Sequence, residues 1–141
     1  MIRNAKALAA VLLVVLWLVA LAGCASESSP LEGTDWRLSE WTVSSLSPAD
    51  FTITAQFAGG QISGNSGVNS YSGPCEVGPG DGFEVGDIAG TTMAGPEPAM
   101  RAETIYLTLL REARSFVVDE SRLTLYDEAG NESLLFDAAG D

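Results

Sequence analysis

Residues 51–73, FTITAQFAGGQISGNSGVNSYSG, hold the reading that decides the fold. Phe51, Ile53, Ala55 and Phe57 alternate with Thr52, Thr54 and Gln56, the period-two pattern of a strand with one buried face. "AGG" at 58–60 turns the chain and "QIS" starts a second strand, so 51–63 is predicted to be a hairpin. The remainder, to Gly73, has the composition of a ligand loop. Yet no helical pattern follows Gly64-x-x-Gly67 and no lysine stands near it, so it is not a phosphate loop. It reads instead as a glycine-and-asparagine bend leading into another short strand. Asn65 and Asn69 are expected to supply left-handed backbone and to cap turns with their side chains. Tyr71 is expected to pack on the sheet.

The segments on either side extend this pattern. "LEGTDWRLSEW", from Leu31, carries a turn, then Trp36 and Leu38 on one face of an extended piece, with Trp41 further on. Trp36 is expected to anchor the core, because indole brings a large buried area. Gly64 to Gly90 is rich in Gly, Ser, Asn and Asp, with short extended pieces predicted at Ser70–Tyr71 and Phe83–Ile88. Helical spacing follows over 96–114, "PEPAMRAETIYLTLLREAR". Ala99, Ala102, Tyr106, Leu109, Leu110 and Ala113 share one side, and Arg101, Thr104, Thr108, Arg111 and Glu112 the other. Pro98 suits a first helical turn. "SFVV" reads as a strand and "RLTLYDEAGNESLLF" as a hairpin turning at "DEAGN". Strands, one helix, then strands predict a single α+β domain: a curved antiparallel β-sheet, as an open or cracked barrel, with one helix packed against it.

Ahead of this domain stand Arg3 and Lys6, then an apolar run from Ala7 to Ala22 ending in "LAGC". A basic start before a short apolar core is the pattern of a secretory signal peptide, and the run is shorter than the ~20 residues of a comfortable membrane span. "LAGC" in that place resembles the bacterial lipobox. The resemblance implies cleavage after Gly23 and lipid attachment at Cys24. The chain therefore divides into a lipoprotein signal peptide at 1–23, a flexible tether at 24–30, the domain at 31–137 and a tail at 138–141. The expected location is the bacterial cell membrane, lipid-anchored and facing the extracytoplasmic side.

Charge and composition narrow the function. Without Arg3 and Lys6, five of the seven basic residues remain against nineteen acidic ones, a formal charge of −14. Such a surface repels phosphate backbones and anionic headgroups, so nucleic acid is excluded as a partner. Histidine is absent, which removes the commonest general base and metal ligand. Asp81, Glu84 and Asp87 could form an acid–base pair only in a pocket that shifts a pKa, and are read as exposed loop acids. Asp127–Glu132, "DEAGNE", lacks the ligand spacing of a calcium loop. Cys75 is left without an intramolecular partner if Cys24 carries lipid. It is read as a small, partly buried side chain in a turn-rich segment, with Pro74 and Glu76 beside it arguing against thiolate activation.

Four motifs occur in order: "LEGTDWRL", "FAGGQISGNSGVNSYSG", "TTMAGPEPAMRAE" and "LTLYDEAGNESLLF". Together, over residues 31 to 137, they resemble the META domain, the HslJ-like family of small bacterial envelope proteins. The resemblance implies one compact α+β domain, often lipid-anchored, with links to envelope stress, heat shock or drug tolerance and no established enzymatic activity. It also implies a fold similar to that of lipid-binding secretin pilotins, a cracked β-barrel. Many members carry cysteines where this chain has Val68 and Gly95. A bridge cannot be carried over, but the resemblance implies that Val68 and Gly95 are neighbours.

The expectation is a monomeric, non-catalytic envelope interaction or stress-related module, without cofactor or metal, attached to the membrane by lipid and meeting an envelope protein partner. The alternative is a carrier of a small apolar ligand or lipid in a cavity between sheet and helix.

Overall fold

The structure, a computed structural model, describes residues 28–140. Its strands are β1 (Thr34–Trp41), β2 (Thr54–Ala58), β3 (Gln61–Asn65), β4 (Ser70–Val77), β5 (Phe83–Val85), β6 (Ala89–Gly90), β7 (Ser115–Asp119), β8 (Arg122–Tyr126) and β9 (Glu132–Ala138). Among the described residues one α-helix, α1 (Glu97–Glu112), lies between β6 and β7, and a 3-10 turn covers Pro48–Asp50. The sheet is antiparallel in the order β5-β4-β3-β2-β1-β9-β8-β7, with β6 also on β4. Its two ends meet at the pair Gly82 and Ser115. There Phe83 N–H donates to the Arg114 carbonyl and Phe116 N–H to that of Asp81, each at 2.9 Å. The sheet thus curls into a nearly closed barrel, which satisfies most of the edges that an open sheet would expose.

Burial follows the sequence periods. Ile53, Ala55 and Phe57 point inward, as do Leu123, Leu125, Leu134 and Phe136. In β1 the register shifts between Leu38 and Glu40. This bulge, at Ser39, turns Trp41 to the same interior as Trp36 and Leu38. Both indole N–H groups are satisfied: Trp36 Nε1 by Thr34 Oγ1 and Trp41 Nε1 by the Leu46 carbonyl, each at 2.7 Å.

The segment read as turn-rich is more regular than its composition suggests. β4 is a full eight-residue strand in which Tyr71, Gly73 and Cys75 face in and Ser70, Ser72, Pro74 and Glu76 face out. Glycine and cysteine on the inner face and serine and proline on the outer one hide the alternation. Cys75 is therefore a buried strand residue. Only Phe83–Val85 of the predicted Phe83–Ile88 piece is a strand.

Helix α1 buries Ala102, Tyr106, Leu109 and Leu110, and Ala113 just beyond it is also buried. Its Tyr106 ring meets Phe136 of β9 edge-to-face, with centroids 6.3 Å apart. Each such large side chain contributes about 1.5–3 kcal/mol by leaving water. The helix stops where Ala113 turns extended, and Arg114 Nη1 caps it by donating to the carbonyls of Arg111 and Ala113 at 2.7 Å. That suits the negative end of the helix dipole.

Antiparallel order fixes which loops share an end. Ser28–Gly33 lies with the turns at 59–60, 78–82 and 120–121. The loops 42–53, 66–69, 91–96 and 127–131 lie at the other end. At that second end Val68 packs on Gly95. A Cβ built on Gly95 would sit 3.5 Å from the Val68 Cβ and 2.8 Å from its Cγ2. The neighbourhood implied by the resemblance is therefore present, with apolar contact in place of a covalent tie.

The Cβ separation matches that of a disulfide. The double variant Val68→Cys/Gly95→Cys is expected to oxidise in air and to gain about 2–4 kcal/mol over its reduced form. Thiol titration and thermal melts with and without reductant check this. A variant that keeps these two thiols free would contradict the contact.

Candidate functional site

The bend from Asn65 to Asn69 is built around one carboxylate. Glu103, on α1, points its side chain into the bend. Its Oε2 accepts from Ser66 Oγ at 2.6 Å, Asn69 N–H at 2.8 Å and Val68 N–H at 3.4 Å. Its Oε1 accepts from Asn69 Nδ2 at 2.8 Å. Partial burial pushes the Glu103 carboxyl up, but the hydrogen bonds from Ser66, Asn69 and Val68 together outweigh it and hold its pKa below the usual glutamate range.

The bend's glycines and asparagines serve this geometry. A Cβ at Gly64 would lie 2.1 Å from the Thr54 carbonyl oxygen, so only glycine lets β3 come this close. Gly67 has φ of +119°, outside the range of ordinary L-residues. Asn65 and Asn69 do not take left-handed backbone, contrary to expectation; they act through their side chains. Asn65 Oδ1 accepts from Gly67 N–H at 2.9 Å. Asn69 Oδ1 accepts from Met93 N–H at 2.7 Å and Thr91 Oγ1 at 2.8 Å, tying the segment between β6 and α1 to the bend.

Below the bend, Tyr106 and Tyr71 share a 2.5 Å hydroxyl contact, and Tyr71 O–H donates to the Thr54 carbonyl at 2.8 Å. Tyr106 is therefore the donor to Tyr71. Burial pushes both hydroxyls well above the usual phenol range, so both stay protonated. Tyr71 packs in the interior, as its position in the sequence suggested. Ser66, Asn69 and Glu103 form one hydrogen-bonded group, and Tyr71 and Tyr106 form a second, three residues further along α1. In the first group every converging donor is taken up by the Glu103 carboxylate.

The other singled-out residues lie apart from it. Asp81, Glu84 and Asp87 are all exposed, and no pocket gathers them for acid–base work. Asp127 spends both carboxylate oxygens on its own turn, accepting from Asn131 N–H at 2.9 Å and Asn131 Nδ2 at 3.2 Å. Among the described residues, no three His, Cys, Asp or Glu gather as a metal site. Cys24 lies outside the described residues. Cys75 borders a depression of about 200 Å³ with Leu31, Phe57, Gly60, Gln61 and Val77, at the end where the chain begins its first strand. Burial, with a smaller effect from Glu76, pushes its thiol up to about 11, which leaves it a poor nucleophile. The depression is smaller than the 300–1,000 Å³ usual for a small-molecule site.

Glu103 was not singled out by sequence reasoning. The signal was present but ambiguous: an acid at the border of the apolar helix face, and a loop of hydrogen-bond donors with no lysine beside it.

The sequence profile of the META domain matches residues 29–140. No curated protein matches the chain. Among solved structures, the NMR structure of a protein from Burkholderia xenovorans is similar at 28% identity, covering 79% of this chain and 85% of its own, with a TM-score of 0.66. A crystal structure of a DUF4847 family protein from Bacteroides vulgatus shares the fold at 12% identity and a TM-score of 0.56, covering 77% of this chain and 94% of its own.

Replacing Glu103 by Gln keeps the shape but sets an amide donor among donors. The expected cost at neutral pH is about 2–3 kcal/mol, the range for a lost charge-assisted bond plus an unmatched polar group. A lowered folded pKa means that the wild-type advantage is complete above the unfolded value of about 4.3 and is lost as pH falls through the folded value. Denaturation curves of both proteins from about pH 7 to 3 should therefore converge at the acid end. Curves that stay parallel throughout would contradict the role of the charge.

Proposed function

The chain belongs to the META domain family, and on that premise we propose that it is a non-catalytic interaction module of the bacterial envelope, held to the extracytoplasmic side of the membrane by lipid on Cys24. Strongest support comes from where its exposed apolar side chains sit. Of the three exposed large apolar side chains among the described residues, Val43 and Met93, each 61% exposed, lie at the barrel end opposite the one where the chain begins its first strand, and Val117 lies on β7. Cys24 to Leu31 spans at most about 25 Å when extended, so a lipid on Cys24 keeps the first end near the membrane and turns the second outward. Exposed apolar residues on a rigid, acidic surface suit a partner contact. The Asn69 side chain fixes the Met93 backbone, donating from Nδ2 to its carbonyl at 3.2 Å and accepting from its N–H at 2.7 Å. The excess of acidic side chains favours a stand-off from anionic headgroups. Family resemblance supports a task under envelope stress.

The carrier reading has less behind it. Tyr106, Leu110 and Phe136, all fully buried, already fill the space between sheet and helix where an apolar ligand would sit.

Cys24→Ala is expected to move the protein from the detergent phase to the aqueous phase in phase partition; unchanged partition would sink the anchor. Photo-crosslinkers placed in cells at Met93 and at Gly59, on opposite ends, test the orientation. A discrete adduct at Met93 alone is expected. No adduct at Met93, or equal labelling at both, would overturn the interaction reading.

A further inference from the structure

The bend keeps its shape through contacts that leave Glu103 out. Ser66 pairs with Ile53, and its N–H donates to the Asn69 carbonyl at 2.8 Å. Gly67 N–H is held by Asn65 Oδ1, and Asn65 N–H donates to Thr54 Oγ1 at 3.0 Å. The Asn69 side chain is fixed from its far side by Met93 N–H and Thr91 Oγ1. Against this frame, Ser66 Oγ, Val68 N–H, Asn69 N–H and Asn69 Nδ2 converge on one place. Successive backbone N–H groups in such a concavity recognise anions. The anion that fills it comes from a separate element, 34 positions along the chain from Asn69.

We propose that the Ser66–Asn69 bend is a carboxylate-binding site in its own right, with Glu103 as its built-in ligand, and that it takes a small free carboxylate once that side chain is removed. The donors define the ligand class. Three act on Oε2 and one on Oε1, so the site asks for two oxygens a carboxylate's width apart. A spherical anion such as chloride meets one set and not the other. Truncating Glu103 to Ala removes a methylene and a carboxylate, the heavy atoms of acetate, so acetate fits the space that is left.

The test uses the Glu103→Ala protein titrated with acetate, against sodium chloride at matched ionic strength. Acetate is expected to raise the Tm with the logarithm of its concentration above Kd, by about 5 °C once it is tenfold above its Kd. The amide resonances of Val68 and Asn69 should shift over the same range, and the wild type should show neither effect. A folded variant that responds to acetate no more than to chloride overturns the proposal, as does a wild type that responds equally. Should the variant not fold in chloride, refolding in acetate decides: a native spectrum in acetate alone supports the site, and an unfolded chain in both salts overturns it.

Discussion

The Glu103 carboxylate lies where the bend between β3 and β4, the segment between β6 and α1, and the helix itself all meet. A bend this rich in inward-facing N–H groups cannot be buried without an acceptor, because each unmet donor costs about 1–3 kcal/mol. Strand partners are unavailable there, since the chain is leaving one strand for the next. One ionised side chain meets four donors at once. It also does so from the helix, so the same contact fixes where α1 sits over the sheet. Three residues along, Tyr106 repeats the arrangement at greater depth, reaching Tyr71 of β4 with its hydroxyl and Phe136 of β9 with its ring.

This contact complements the closure of the barrel. The pairing of Gly82 with Ser115 joins the first and last strands of the sheet through two backbone bonds only. Packing beneath the joint supplies what so short a ladder cannot: Phe83 from one strand lies against Phe116 from the other, with ring centroids 6.4 Å apart. The helix then fills the interior. Backbone pairing, aromatic contact and a clasped carboxylate thus act at different places on one curved sheet.

Much of this was legible in the sequence, for reasons that can be located. β2 showed through the alternation of Ile53, Ala55 and Phe57, and α1 through the spacing of Ala102, Tyr106, Leu109 and Leu110. β4 was not legible as a full strand, because Gly73 and Cys75 on its inner face carry little apolar signal. Closure between β5 and β7 was illegible in principle. It joins residues far apart in sequence, and its hydrogen bonds are made by backbone that any side chain can accompany. The nearness of Val68 and Gly95 came from family resemblance alone. Glu103 was missed because an acid on a helix surface is ordinary until its partner is known, and that partner lies 34 to 37 positions away in sequence.

The glycines and asparagines of the bend, which have the look of a ligand loop, turn out to be one whose ligand is covalently part of the chain. Gly64 admits the close approach to Thr54, Gly67 takes a backbone conformation closed to other residues, and Asn69 divides its amide between Glu103 on one side and Met93 on the other. A composition suited to recognition is therefore used for self-recognition. That moves the outward-facing chemistry elsewhere: the clasp keeps the backbone of Met93 in place, and the side chain it presents to solvent is apolar. The polar machinery faces inward and the apolar tip faces outward. The same side-chain amide thus orders the bend inside the barrel and the backbone that carries Met93 outside it.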